Sequence, residues 1–506
     1  MRNFSVFNMT ALIAFFCLAV PVWAANDYEQ VIGLIHMDSE VSGGENSLAM
    51  LAAVAKNAGA GMALVTDHDT QKVTYGIWPL RNLLKFSYTR ASVRTYGISK
   101  YLEEIEEIDR DLGDFSFLPG IEAVPYYYWH YSLIDDSPVL RNIHQHVLVM
   151  GLDKPNQIEN LPSIETGYPS RITRSSLLKC MWFIPLIISF ILFKPLHGGY
   201  SYYRGRISTL ISHPINLVAL PLMVVSIVFL LNSIPFKEPV VTQYGTDAGA
   251  RPYQELIDYV NRQGGLVFWA HPEAFYHERI DLKEENPLIS FLFHSVLKGG
   301  LEVSTDPYYR LLNETRDYTG FALFFAGYHI VGNPGGLWDS LLMQFCKGTR
   351  NRPVWAISEI DMEEGTDPET ASTSQTVFLV REKTKEAYLE ALRVGRMYCF
   401  TQNLTRWVTI RDYAVTAGGK RAVSGEVLRY NADTMLMFDI EIKRQNQDFE
   451  VVVIRDGDIY VRKWINSSET LTIPLPVSDY EMGYVRIAMY QGGEMRIATN
   501  PIFILK

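Results

Sequence analysis

The 506-residue sequence predicts an α/β chain: a barrel of alternating strands and helices, interrupted by a membrane-crossing helical hairpin and followed by a small all-β sandwich. Three observations carry this expectation. Short apolar runs of strand length alternate with helix-like stretches on both sides of residues 166–245. Inside that interval, two apolar runs approach the ~20 residues that cross a hydrocarbon core. From about Asn403 the pattern changes to short alternating segments separated by turns.

Residues 1–25 place Arg2 ahead of an apolar run, 9–20, and end in Val22-Trp23-Ala24, with small residues where a signal peptidase reads them. This predicts a cleaved export signal; an uncleaved anchor is the alternative. Residues 31–35 (VIGLI), 47–58, 62–65 (MALV) and 98–112 then read as strand, helix, strand, helix, the alternation of βα units around a parallel sheet or barrel. This first part, 26–165, resumes as 246–402 with a helix near 252–263 and strands at 265–269 (GLVFW) and 354–357 (VWAI). In 403–506, segments such as 449–454, the Asp456-Gly457 turn, 459–464, 471–475 and 484–490 suit a sandwich.

The interrupting runs are 177–193 and 217–234. Lys194, Arg204 and Arg206, with no acidic residue, lie between them, which the positive-inside rule assigns to the cytoplasm. Arg171, Arg174, Lys179 and Lys237 flank the runs, and Pro185 and Pro221 interrupt them; a pair of buried core helices or an interfacial hairpin is the competing reading. The net charge of −10 argues against a nucleic-acid partner, which would need a basic face. Of four cysteines, Cys17 falls in the signal and Cys180 in an apolar run, leaving Cys346 and Cys399 and no disulfide framework.

The chemistry lies in His and carboxylate groups set at strand ends, where βα folds place their sites. His36-x-Asp38 follows VIGLI, and residues two apart in a strand point the same way. Thr66-Asp67-His68-Asp69 follows MALV, Pro119-Gly120-Ile121-Glu122 follows another short apolar run, and His144-Gln145-His146 opens VLVMG. Beyond the hairpin, Ala270-His271-Pro272 ends GLVFW and Ser358-Glu359-Ile360-Asp361 ends VWAI. Mixed imidazole and carboxylate donors suit divalent Zn, Mn or Fe, and a bridging carboxylate holds two such ions roughly 3.5–4 Å apart around a nucleophilic water. Because the candidate ligands flank the hairpin and must converge, the crossings between them must be even, which puts both barrel halves outside the cytoplasm (in the periplasm of a Gram-negative cell).

The order and wording of these motifs resemble the PHP (polymerase and histidinol phosphatase) superfamily: His-x-His, Thr-Asp-His, Pro-Gly-x-Glu, a His before a strand, Ala-His-Pro and a closing Gly-Ser-Asp-x-His. The flanks Asn57-Ala58-Gly59-Ala60-Gly61 and Arg262-Gln263-Gly264-Gly265 match it too, while Leu337-Trp338-Asp339-Ser340-Leu341-Leu342, Ala391-Leu392-Arg393-Val394-Gly395-Arg396 and Asn500-Pro501-Ile502 look more specifically like the CehA/McbA branch, with its C-terminal β-sandwich. The resemblance implies a distorted PHP-type (β/α) barrel that hydrolyses a phosphoester, or another ester or amide-like bond. It implies that His36, Asp38, Glu122 and Glu359 hold one ion, with Glu122 bridging to a second held by His146 and His271. His68 and Asp361 match positions that serve a third ion in some relatives. Asp38, Glu359 and Asp361 depart from the family's His, Asp and His; the set stays metal-capable but harder and more anionic, favouring Mn, Fe or Mg over Zn. Gly43-Gly44 stand where the family has an acidic residue or His. A degenerate site, kept for sensing or scaffolding alone, is the alternative function.

Asp67 and His68 are the candidate catalytic residues, Asp67 either orienting the His68 imidazole or capping a turn. The aromatic run 126–131 (YYYWHY) reads as a pocket wall or as packing. His277, His329 and Glu302 lie near the motifs without an assigned step, and His197 and His213 fall in the loop between the spans. The expected partners are a small ester or phosphoester substrate and the lipid bilayer.

Overall fold

The computed structural model describes residues 28–130, 138–194, 214–281, 300–362 and 372–506, with Glu369. The expected export signal, Arg204, Arg206, His197, His213 and Tyr131 lie outside the described residues. The chain forms two compact units, one of residues up to 71 with 90–166 and 243–506, the other of 72–89 with 167–242.

The first unit is mixed α/β around one large sheet. Strands β1 (Glu29–Met37), β2 (Met62–Val65), β3 (Ser116–Ala123), β4 (Val147–Met150), β5 (Leu266–Trp269), β6 (Gly320–Phe324) and β7 (Trp355–Ser358) lie side by side in chain order. Past β7 the chain returns to β1: the Ile360 amide donates to the Ile35 carbonyl at 2.9 Å and the Asp38 amide to the Met362 carbonyl at 2.9 Å. Every residue of β2, β4, β5, β6 and β7 is buried, which explains their unbroken apolar character. The expected all-parallel order fails at β4, which runs antiparallel to both β3 and β5. Its first end therefore lies with the last ends of its neighbours.

Helices cover the strands. Helix α1 (Leu48–Asn57) starts at Ser47, whose side chain accepts from the Met50 amide, and buries Leu48, Leu51, Ala52, Val54 and Ala55. Helix α2 (Ile98–Leu112) buries Tyr101 and Ile105, and α3 (Arg251–Arg262), opened by Pro252, buries Tyr253, Leu256, Ile257 and Val260. Strand β6 begins at Gly320, where a Cβ would run into the Trp355 carbonyl of β7 and the Phe268 ring of β5. Gly320→Ala is expected to destabilise the fold by about 1–3 kcal/mol, read as a lower denaturation midpoint; an unchanged midpoint would contradict this packing.

Strand β8 (Ser374–Val380) pairs antiparallel with β1, and β9 (Met397–Thr401) with β8. The sheet runs on unbroken across the expected boundary at 402/403, because β9 pairs with Glu494–Thr499 and that strand with Met482–Gln491. The C-terminal region is all-β. A second, four-stranded antiparallel sheet contains Met435–Ile442, in which every other residue is buried. Its Leu436, Phe438 and Ile440 share one core with Tyr398, Phe400, Val451, Val453, Val485 and Ile487 of the large sheet. Helix α4 (Leu337–Cys346) is locked to this region: the buried Asp339 carboxylate accepts from Arg486 Nε and Nη2 at 2.7 Å each and from the Tyr484 hydroxyl at 2.7 Å.

The second unit holds two helices, Arg174–Leu192 and Asn216–Ser233, long and apolar enough by length and composition to cross a membrane, and largely exposed. The Trp182 and Phe229 rings stack at 4.2 Å between them. At one end a reciprocal amide clamp joins them, Lys194 N to Asn216 Oδ1 and Asn216 Nδ2 to the Lys194 carbonyl, both 3.0 Å. Hydroxyls within the helices stay satisfied locally, Ser189 on the Leu186 carbonyl and Ser226 on that of Leu222. The unit also contains an antiparallel hairpin of strands Lys72–Gly76 and Lys85–Thr89, which the sequence reading missed.

Candidate metal centre

The expected ligands converge at one end of the curled sheet. His36 sits at the end of β1, Glu122 near the end of β3, His271 just past β5 and Glu359 directly after β7. His146 immediately precedes β4, and the antiparallel course of that strand brings it to the same end. His68 lies in the loop after β2, where residues 67–69 run alongside the end of β3: the Glu122 amide donates to the Asp67 carbonyl at 3.1 Å and the Asp69 amide to the Glu122 carbonyl at 3.0 Å.

Glu122 is the hub. Its Oε1 lies 3.2 Å from His36 Nε2 and 2.5 Å from His146 Nδ1, and its Oε2 lies 3.2 Å from His68 Nδ1. Glu359 Oε2 sits 2.9 Å from His36 Nδ1 and its Oε1 3.3 Å from His271 Nδ1. Asp361 reaches His36 Nε2 at 3.6 Å and His271 Nδ1 at 3.8 Å, and Asp38 lies 3.9 Å from His36 Nε2. Three groupings have donor atoms mutually within 4.8 Å: His36, Glu122 and His271; His68, Glu122 and His146; and His36, Asp38 and Asp361. All eight expected ligands fall in these groupings or, for Glu359, directly against them.

Whether these groups fit a cation is tested by their unmet valences. His36 Nε2, His68 Nδ1, Glu122 Oε1, His146 Nδ1 and His271 Nδ1 are buried and lack a hydrogen bond of acceptable geometry. Buried polar atoms are ordinarily paired. Five orphans turned toward one another suit a shared electrophile. The other nitrogen of His146 donates to the Ile143 carbonyl at 3.1 Å, which fixes the tautomer that leaves Nδ1 bare. His36 (φ 70°) and Asp361 (φ 54°) hold left-handed backbone conformations uncommon outside glycine, a strain that concentrates at functional sites.

Charge in the cage is finely divided. Burial alone would depress His271, but Asp361, Glu359 and Glu122 outweigh it and raise its pKa to about 9. Burial would raise Glu359, but hydrogen bonds and charge from His271 and His36 bring it down to about 2. His68 falls to about 4, through burial and the neighbouring imidazoles, despite Glu122. In metal-free protein the His271 contribution is therefore complete below its ordinary 6.5 and is lost as pH rises through about 9. The Glu359 contribution is present above 4.5 and lost only as pH falls through about 2. Chelator-treated protein is expected to melt at a higher temperature at pH 6 than at pH 9.5, and the reverse order would refute this charge assignment.

Asp67 takes neither a ligand's nor a ring-orienting position. Its Oδ1 accepts from the Ser39 amide at 2.8 Å and the Ser42 hydroxyl at 2.6 Å, and its Oδ2 from the Ser39 hydroxyl at 2.8 Å. It thus fastens the loop that follows Asp38. Gly43 and Gly44 complete that loop: Gly43 has φ 108°, and a Cβ on Gly44 would strike the Asp38 carbonyl. The tight turn accounts for glycine at these positions.

Of the other residues singled out, Tyr126 and Tyr128 stack at 5.9 Å and the Tyr126 hydroxyl accepts from the Ala248 amide, a packing role. His277 and Glu302 lie on paired strands, Tyr276–Asp281 and Gly300–Thr305, and neither they nor His329 enter a ligand grouping among the described residues. Tyr308 went unforeseen: its hydroxyl donates to the Ala270 carbonyl at 2.6 Å and accepts from the His146 amide at 3.4 Å, tying two ligand segments together. No motif signals it.

No family model matches the chain, and no curated protein matches it. Among solved structures it is similar to a two-domain protein from Bacteroides vulgatus ATCC 8482, described as containing a predicted PHP-like metal-dependent phosphoesterase (10% identity, TM-score 0.33, 95% of this chain and 98% of that one). A second is a protein from Bifidobacterium adolescentis ATCC 15703 described as a predicted metal-dependent phosphoesterase (16% identity, TM-score 0.20, 56% and 87%). A third is an amidohydrolase from Chromobacterium violaceum with bound sulfate and no metal (12% identity, TM-score 0.23, 66% and 87%).

Proposed function

We propose that the chain is a metal-dependent hydrolase of phosphoester or related ester bonds, tethered to a membrane with its site outside the cytoplasm. The observation that supports it most is the Glu122 hub, a buried carboxylate facing three imidazole nitrogens that lack hydrogen bonds. His36, Asp38, Glu122 and Glu359 would hold one ion, Glu122 with His146 and His271 a second, and His68 and Asp361 would serve a third. Divalent ions so held supply a water made acidic near neutrality and polarise the scissile bond. The protein's own part is to keep four imidazoles and four carboxylates converged, to fix the His146 tautomer through Ile143, and to anchor the Asp38 loop through Asp67. The donor balance favours Mn, Fe or Mg over Zn.

Connectivity is compatible with the tether. Residues 28–71 and 90–166, before the two apolar helices, and 243–506, after them, build one compact unit, so the helices must leave and return on the same side. Their exposed apolar surfaces suit lipid.

Purified full-length protein is expected to carry two or more divalent ions per chain, to lose activity on bis(p-nitrophenyl) phosphate or p-nitrophenyl phosphate when chelated, and to regain it with Mn. Bound metal without turnover across an ester panel would instead support a metal-binding sensor or scaffold. Absence of bound metal after reconstitution would sink both.

A further inference from the structure

The hairpin of residues 72–89 has no part in the metal centre, and its composition is unusual for this chain. Residues 71–90 carry Lys72, Arg81, Lys85 and Arg90 and no acidic residue, within a protein of net charge −10. Its tip is apolar where turns are ordinarily polar. Trp78 is 76% exposed, and Leu83 and Leu84 are exposed beside it. The tip is also well ordered by its backbone: the Ile77 amide donates to the Leu84 carbonyl at 2.8 Å, and the Leu83 and Leu84 amides donate to the Leu80 carbonyl at 3.0 and 2.7 Å.

That tip is fastened to the end of the second apolar helix. The Asn82 amide donates to Asn232 Oδ1 at 2.9 Å, Asn82 Nδ2 to the Asn232 carbonyl at 2.7 Å, and Asn232 Nδ2 to the Pro79 carbonyl at 3.2 Å. Polar groups of the helix end are thereby satisfied by protein, as a site at the edge of a bilayer demands. The apolar surface continues from the tip onto the helix, where Leu231 and Ile234 are exposed. The connectivity agrees: residues 72–89 follow the first ligand segments with no apolar span between, and the Ser233 end of the helix leads directly to residues 243–506, so both belong on the same side.

We infer that residues 77–84 are a third membrane contact, seated with Trp78, Leu83 and Leu84 in the headgroup layer of an anionic bilayer beside the end of Asn216–Ser233. The inference rests on the reading of the two helices as spans. An exposed tryptophan flanked by leucines suits the interfacial zone, and the all-basic flanks suit anionic headgroups.

The test uses the full chain reconstituted in phosphatidylcholine vesicles with and without phosphatidylglycerol. A nitrobenzoxadiazole probe is placed on Trp78→Cys or, as control, on Thr89→Cys, with labelling of the unaltered chain subtracted and nitroxide-bearing lipids as quenchers. Strong quenching at position 78 and little at 89 is expected. Lys85→Glu in the Trp78→Cys chain is expected to lower the quenching by roughly twofold or more in anionic vesicles and to leave neutral ones unchanged. An unquenched probe at 78 in both vesicles overturns the inference. So does a probe that responds to protein-to-lipid ratio instead of lipid charge, which would assign the tip to a second copy of the chain. Alkaline carbonate extraction of the same vesicles separates the two readings: release of the chain sinks the spans themselves, whereas a pelleted chain with an unquenched probe sinks only the third contact.

Discussion

Glu122→Gln is expected to lower kcat/KM on the order of 10³-fold and to remove more than one ion per chain, because one side chain serves several groups at once. The glutamine keeps the volume of Glu122 but carries no charge, and its amide cannot offer two anionic oxygens to His36, His146 and His68 together. His68→Gln, which touches a single oxygen of the hub, is expected to cost at most one ion. Metal counting on the two variants beside the unaltered protein, with circular dichroism to show that each is folded, reads the difference. Unchanged stoichiometry in Glu122→Gln would remove the bridging role and with it the proposed chemistry.

The second large effect is on stability. Asp339 on α4 and Arg486 in strand Met482–Gln491 are both buried, and the guanidinium forks onto both carboxylate oxygens. Asp339→Ala would strand a cation from which water is excluded, at a cost of about 3–5 kcal/mol and a fall in melting temperature of roughly 10 °C. The double variant Asp339→Leu with Arg486→Met removes both charges and is expected to recover most of that loss, because a buried pair replaced by apolar groups of similar size is often neutral. A single variant that melts like the unaltered protein would show that Arg486 finds another partner.

Much of the site was legible because strand ends announce themselves. An apolar run of four or five residues followed by His or a carboxylate is a local pattern, and His36, His68, Glu122, His271 and Glu359 could each be found from it without knowing their neighbours. What escaped was whatever depends on distant partners or on direction. Four buried apolar residues, Val147–Met150, say nothing about which way the strand points, so the antiparallel course of β4 was invisible. The double meaning of Asp67 was resolved only by hydroxyls at Ser39 and Ser42, far back in the sequence. The hairpin at 72–89 escaped because its turn, with Trp78 and Leu83-Leu84, is more apolar than an ordinary turn, and turn recognition relies on polar and glycine-rich punctuation. The unbroken sheet across residue 402 escaped for a similar reason: a change of sequence texture marks where helices stop, whereas strand pairing can carry straight through it.

The split of the donors between the two flanks of the apolar helices also sets an order of events during biosynthesis. His36 and Asp361 stand near opposite ends of the sequence that forms the curled sheet, and no shorter length of nascent polypeptide includes them both. While a ribosome is still making the chain, the part before the apolar helices already carries His68, Glu122 and His146, but the two groupings built on His36 stay incomplete until His271 and Asp361 have emerged. On the proposed reading, the full cage of eight donors would exist only in finished, folded protein, and the ions completing it would be those of its final compartment.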